Sequence, residues 1–193
     1  TLAISSAASD VYKRQIMDVV YKYCRAIDRL DRELLESVFH DDSIHHHGEY
    51  KGPSAQFCDF AFDILSKMEH TQHLVGNILV EVDGDKAWSE SYWQAYHRLA
   101  KGKDFSDSGG FIADHDPNID EDVYVSGRYI DKFEKRNDEW RIVKRQGVHD
   151  WVRFEPATDR GWREGPGPIP GRGGRTDPCL LYTSPSPRDS DTS

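Results

Sequence analysis

Residues 70–99 read HTQHLVGNILVEVDGDKAWSESYWQAYHRL, and within them the hydrophobic period becomes two. Ile78, Val80 and Val82 alternate with Leu79 and Glu81. Asp83-Gly84-Asp85 supplies a turn, and Ala87 to Leu99 continues as a strand rich in Trp and Tyr. Alternation interrupted by an Asp-Gly turn predicts an antiparallel hairpin. Downstream, a polar Gly- and Asp-rich connection over 101–122 leads to a second hairpin, Val123–Lys135 and Trp140–Phe154, turning at Arg136-Asn137-Asp138-Glu139.

Upstream of His70 the period is helical. Ile16, Val19, Val20, Tyr23 and Ile27 place an apolar stripe on a helix over roughly residues 11–28. Asp31 is positioned to cap a short second helix through Phe39, and Gly52-Pro53 to open a third, lined inside by Phe57, Phe60, Ala61, Ile64, Leu65 and Met68. Helices first and antiparallel strands afterwards predict an α+β fold, a cone-shaped barrel in which the N-terminal helices pack on a curved antiparallel sheet and enclose a pocket.

The 193 residues suit one domain. Residues 1–15 (TLAISSAASDVYKRQ) and the stretch CLLYTSPSPRD at 179–189 read like translated adapter sequence. The expected organisation is therefore a non-native or disordered segment over 1–15, a folded domain over 16–156, and a disordered Gly/Pro/Ser-rich tail over 157–193. A formal charge of −9 is the wrong sign for a phosphate-tracking surface, so no nucleic-acid partner is expected. With no apolar run of about 18 to 20 residues and no signal-like N-terminus, neither a membrane partner nor secretion is expected, and the expected location is cytoplasmic. Cys24, Cys58 and Cys179 have no metal-type spacing and read as reduced thiols.

The chemistry-bearing candidates centre on His73, where the third helix gives way to the first long strand. A carboxylate holding one imidazole nitrogen makes the other an effective base near neutral pH. Asp28, an acid at the unfavourable C-terminal end of the first helix, is the candidate partner, and a solvated helix end is the alternative. The His45-His46-His47 triplet is a poor metal site, because alternation in a strand sends His46 away from its neighbours. His47 or His45 is the better candidate for a pocket residue. Trp93 is expected to line a pocket, and Tyr50 is a further substrate-binding candidate. His97, His115 and His149 show no spacing that implies a cluster. No nucleotide-binding glycine pattern and no nucleophile elbow occurs, so covalent catalysis is not expected.

The runs IMDVVYKYCRAID (16–28), GEYKGP (48–53), 70–77 and YIDKFEKRNDEWRIVKR (129–145) resemble the SnoaL-like branch of the nuclear transport factor two-like superfamily. That branch includes hexachlorocyclohexane dehydrochlorinase, scytalone dehydratase and the bile acid 7α-dehydratase. The resemblance implies an Asp28–His73 dyad abstracting a proton, with Tyr23 and Arg145 also catalytic: Tyr23 handling a leaving hydroxyl or a carbonyl, Arg145 stabilising a developing anion. It implies a lyase without cofactor or metal, acting on a small hydrophobic cyclic substrate, and a homodimer or homotrimer joined through the outer sheet. Two other functions fit the superfamily: a ketosteroid-type isomerase using Asp28 as base, and a non-catalytic binding or assembly domain like dioxygenase β subunits.

Overall fold

The computed structural model describes residues 6–108 and 110–159. Most of the tail expected from residue 157, and Cys179 with it, lies outside the described residues. Helix α1 (Ser6–Arg29) is followed by α2 (Arg32–Ser37), strands β1 (Phe39–His47) and β2 (Tyr50–Pro53), and helix α3 (Ser54–Lys67). The long hairpins are β3 (His70–Asp83) with β4 (Lys86–Leu99), and β5 (Glu121–Arg136) with β6 (Glu139–Pro156).

The six strands form one curved sheet, order β2-β1-β6-β5-β4-β3, with the helices packed on it. The sheet is open, not a closed barrel. One pairing departs from the antiparallel expectation: β1 runs parallel to β6. The cause is topological: β1 lies between the edge strand β2 and β6, and α3 then carries the chain from that edge to β3 at the opposite one.

Local chemistry explains the boundaries. Asp31 caps α2, its Oδ1 accepting from the Leu34 N–H at 3.1 Å, as its position predicts. That helix ends at Ser37, and Phe39 opens β1 instead of closing the helix. Gly52-Pro53 likewise ends β2, and α3 starts one residue later at Ser54. Helix α1 already runs from Ser6, so the segment before Ile16 continues the same helix over its described residues. Its end is set by Leu30, which takes a left-handed φ of 51° and lets the Asp31 N–H reach the Ala26 carbonyl at 2.9 Å. Asp28 thereby lies in the last turn, facing β3.

The apolar stripe of α1 is buried at Ile16, Val20, Ile27 and Tyr23, in one core with Phe133 and Ile142 of the sheet. At about 1.5–3 kcal/mol for each large apolar side chain buried, this seam anchors α1 to the sheet's concave face.

A β-bulge at Ser126/Gly127 bends β5 against β6 where the site is built. A Cβ on Gly127 would stand 1.9 Å from the Val148 carbonyl oxygen and 2.8 Å from the Trp93 ring. Because the first clash is with backbone, rotamer changes cannot relieve it. Gly127→Ala is expected to lower unfolding stability by about 1–3 kcal/mol or more. Chemical denaturation is the check, and a loss below experimental error would mean that the bulge is not held as described.

Candidate active site

Asp28 on α1 and His73 on β3 meet through two hydrogen bonds. The His73 backbone N–H donates to Asp28 Oδ2 at 2.8 Å, and His73 Nδ1 lies 2.7 Å from Asp28 Oδ1. Both side chains are 9% exposed. A carboxylate accepts only, so the neutral imidazole carries its proton on Nδ1 and presents a lone pair on Nε2. The acid at the helix C-terminus is thus accounted for by two donors from one residue.

His73 lines a chamber of about 400 Å³ between α3 and the concave sheet. Phe57, Phe60, Ala61, Ile64, Leu65 and Met68 of α3 form its apolar wall, and Ile112 and Ser108 approach from the connection between β4 and β5. The opposite wall is polar and aromatic: Tyr23, Tyr129, His47, His97 and His149. Asp28 is not on this wall. It stands behind the imidazole and borders, with His73, a groove on the outer side between α1 and β3.

Four histidines therefore converge where sequence spacing showed none. His97 lies 5.4 Å from His73, ring centre to ring centre, and His47 lies 4.8 Å from His149. A period-two reading of β4 places His97 on the same face as Trp93 and Ala95, the residue opposite His73 in the ladder. His149 follows Gly147 on the inner face of β6 by the same rule. What local reasoning lacks is the curvature that turns these strands toward one another. Among the described residues, no group of three or more His, Cys, Asp and Glu is arranged to hold a metal ion.

Other expected site residues occupy different places. Arg145 is on the cavity side of β6 but behind the wall. Its Nε and Nη2 donate to the two Asp131 oxygens at 2.7 and 2.6 Å, with both side chains 0% exposed. The guanidinium lies 3.9 Å from the Tyr23 ring centre and 4.2 Å from that of Tyr129. It therefore does not reach the chamber, and any effect on an anion there passes through these phenols. Burial raises the Tyr23 hydroxyl above the ordinary tyrosine range, opposed by the Arg145 charge, so the phenol stays protonated and can donate.

Trp93 is buried beside the chamber, stacked on Tyr129 at 5.4 Å, and supports the wall from behind. Tyr50 is also off the wall. Its hydroxyl donates to the Pro53 carbonyl at 2.8 Å and its ring packs on Phe57 and Phe60, bracing α3. His45 is wholly buried and stacks on Phe57 at 3.4 Å, while His47 does line the chamber.

Burial keeps three of these imidazoles uncharged, pushing His45 and His97 well below 6.5 and His47 to about 3. The unfolded chain would protonate all three as pH falls through 6.5, whereas the folded one would not. Stability contributed by their neutrality is thus complete above pH 6.5 and is lost on acidification below it, by up to about 1.4 kcal/mol per pH unit for each group. His97→Phe should flatten the decline between pH 6.5 and 5 by one such contribution in thermal unfolding; an unchanged slope would show that His97 is charged in the fold.

Among the described residues no helix is long and apolar enough to cross a membrane. A sequence model of the SnoaL-like domain matches residues 12–146. No protein of curated function matches the chain. Among solved structures, a candidate scytalone dehydratase from Novosphingobium aromaticivorans DSM 12444 superposes with a TM-score of 0.63 at 17% identity, over 80% of this chain and 94% of that one. A type 2 hexachlorocyclohexane dehydrochlorinase, LinA, gives 0.61 at 20% identity, over 80% and 95%. The type 3 LinA dehydrochlorinase from Novosphingobium barchaimii LL02 gives 0.61 at 18%, over 80% and 96%. At these identities the likeness shows the fold alone.

Proposed function

The chain belongs to the SnoaL-like domain family, and from that premise we propose that it is a cofactor-independent lyase, of dehydratase or dehydrohalogenase type, acting on a small hydrophobic ring compound. The observation that carries this reading is the 2.7 Å contact of His73 Nδ1 with Asp28, behind an imidazole that lines an apolar chamber. His73 Nε2 takes a proton from carbon. The C–H electron pair becomes the new C=C bond, and the hydroxide or halide leaves the adjacent carbon with its pair. Asp28 stabilises the imidazolium that forms. Tyr23, protonated and on the same wall, donates to the departing group or to a neighbouring carbonyl. Arg145, stacked beneath that phenol, offsets negative charge as it grows there.

Isomerisation with Asp28 as the proton carrier has less support, since both carboxylate oxygens are engaged by His73 and neither borders the chamber. The outer sheet face exposes Leu79, Trp88, Tyr92 and Ile130, the surface we propose a second copy covers.

The test is a mass-spectrometric screen of hydroxylated and halogenated ring compounds. Loss of water or hydrogen halide from at least one is expected. A product of unchanged mass carrying solvent deuterium would establish isomerisation instead, and binding without conversion would leave a ligand-binding domain.

A further inference from the structure

Besides the polar groups near His73, the chamber wall carries two imidazoles on the strands farther along the sheet, His47 and His149. His73 belongs to β3 and His149 to β6, three strands away, with Trp93 of β4 and Tyr129 of β5 between them. The Trp93 ring centre lies 6.3 Å from that of His73 and 5.4 Å from that of His149, so the two imidazoles stand at opposite sides of that indole. His47 reaches the same region from β1, edge to face with His149.

The setting of His47 is specific. Residue 147 is glycine, and a Cβ there would stand 2.5 Å from His47 Nδ1, so the ring lies directly against the β6 backbone. Nδ1 is buried without a hydrogen-bond partner. Nε2 is then the one ring nitrogen that can reach the chamber. The tautomer that leaves a lone pair, not an N–H, unsatisfied at Nδ1 puts the proton on Nε2. A neutral donor results, facing the chamber.

The charge of the lining points the same way. The chamber wall carries no lysine or arginine among the described residues; its only formal charges are Glu49 and Asp150, beside His47 and His149 in the chain. Asp150 is held by Arg128 at 3.3 Å on the outer side, while Glu49 is exposed on the turn after β1. An anionic group would meet no cation and a nearby carboxylate. The lone deeply buried cation close by, Arg145, is already paired with Asp131.

We propose that His47, with His149 packed edge-on beside it, forms a second polar pole of the chamber, whose Nε2–H donates to an uncharged oxygen function, a ketone or ether, at the end of the substrate remote from the carbon that His73 deprotonates. The substrate is then a neutral ring compound carrying such an oxygen at the end away from the reacting carbon, not a carboxylate, phosphate or other anion. This rests on the reading of His73 as the base, but its test needs no turnover.

Binding of three saturated steroids is measured by equilibrium dialysis to the full chain: androstane-3,17-dione, androstan-17-one and 3-oxoandrostane-17-carboxylate. A single good hydrogen bond predicts that the dione binds up to about tenfold tighter than the monoketone. The carboxylate should bind at least that much more weakly than the dione. His47→Phe should equalise the dione and the monoketone without weakening the monoketone, and His47→Gln, which keeps a neutral donor, should restore part of the preference. A His47→Phe variant that keeps the full preference overturns the proposal. So does a carboxylate binding as tightly as the dione, or a dione that does not bind at all. If conversion by His73 is absent while the preference holds, the lyase reading fails and the second pole stands.

Discussion

Replacing His73 by alanine is expected to reduce turnover of whichever ring compound the screen identifies by a factor on the order of 10² to 10⁴, the usual contribution of a positioned general base. The fold should survive, because Asp28 keeps the backbone N–H of residue 73 as a donor. Circular dichroism at the assay temperature separates loss of chemistry from loss of structure. Asp28→Asn should be nearly as damaging, for a reason that follows from the geometry. The carboxylate accepts two hydrogen bonds, one of them from a backbone N–H that cannot reverse its polarity. An amide has one oxygen. With that oxygen on the backbone donor, its NH₂ faces Nδ1 and drives the imidazole proton to Nε2, where a base can no longer act. Unchanged turnover in either variant removes the proposed mechanism.

The second large effect concerns stability. Asp131→Ala leaves the Arg145 guanidinium, wholly buried between Tyr23 and Tyr129, without its counter-charge. Breaking a buried pair from one side costs about 3–5 kcal/mol, which for a domain of this size lowers Tm by on the order of 10 °C. The double variant Asp131→Leu/Arg145→Met replaces the pair by apolar volume and should recover much of that loss. It should not recover turnover, because the charge beneath the Tyr23 phenol is gone. Thermal unfolding of the single and double variants, read beside turnover, distinguishes a structural pair from one that also tunes the wall. Full activity in the double variant would confine Arg145 to packing.

Signals that are local in sequence were legible, and those that depend on distant packing were not. The stripe Ile16–Ile27 and the alternation of β3 and β4 identified helix and hairpin from their periods alone. The His-rich run of β1 has no clean period, and its parallel pairing with β6 joins residues about a hundred positions apart, beyond any local pattern. The Asp28–His73 contact was legible only in part: an acid at the wrong end of a helix invites a partner, but a solvated helix end explained it as well, and the resemblance supplied the pairing. The burial of Arg145 was not legible, since it depends on Asp131 and on two tyrosine rings converging from α1 and β5. His97 and His149 showed no cluster spacing for the same reason. Each lies on the inner face of its strand by simple alternation, but only the curvature of the sheet makes inner faces meet. Tyr50 shows the opposite case, an aromatic beside a pocket that braces a helix instead of lining the cavity.

The proposed proton abstraction depends on which nitrogen of His73 carries the proton. Long-range ¹H–¹⁵N correlation spectra of the histidine side chains, with His73 assigned by its absence in the His73→Ala variant, read this directly. At neutral pH the expected state is a neutral ring with the proton on Nδ1, changing to Nε2 in Asp28→Asn. A wild-type ring protonated on Nε2 alone would leave the chamber without a base and contradict the mechanism.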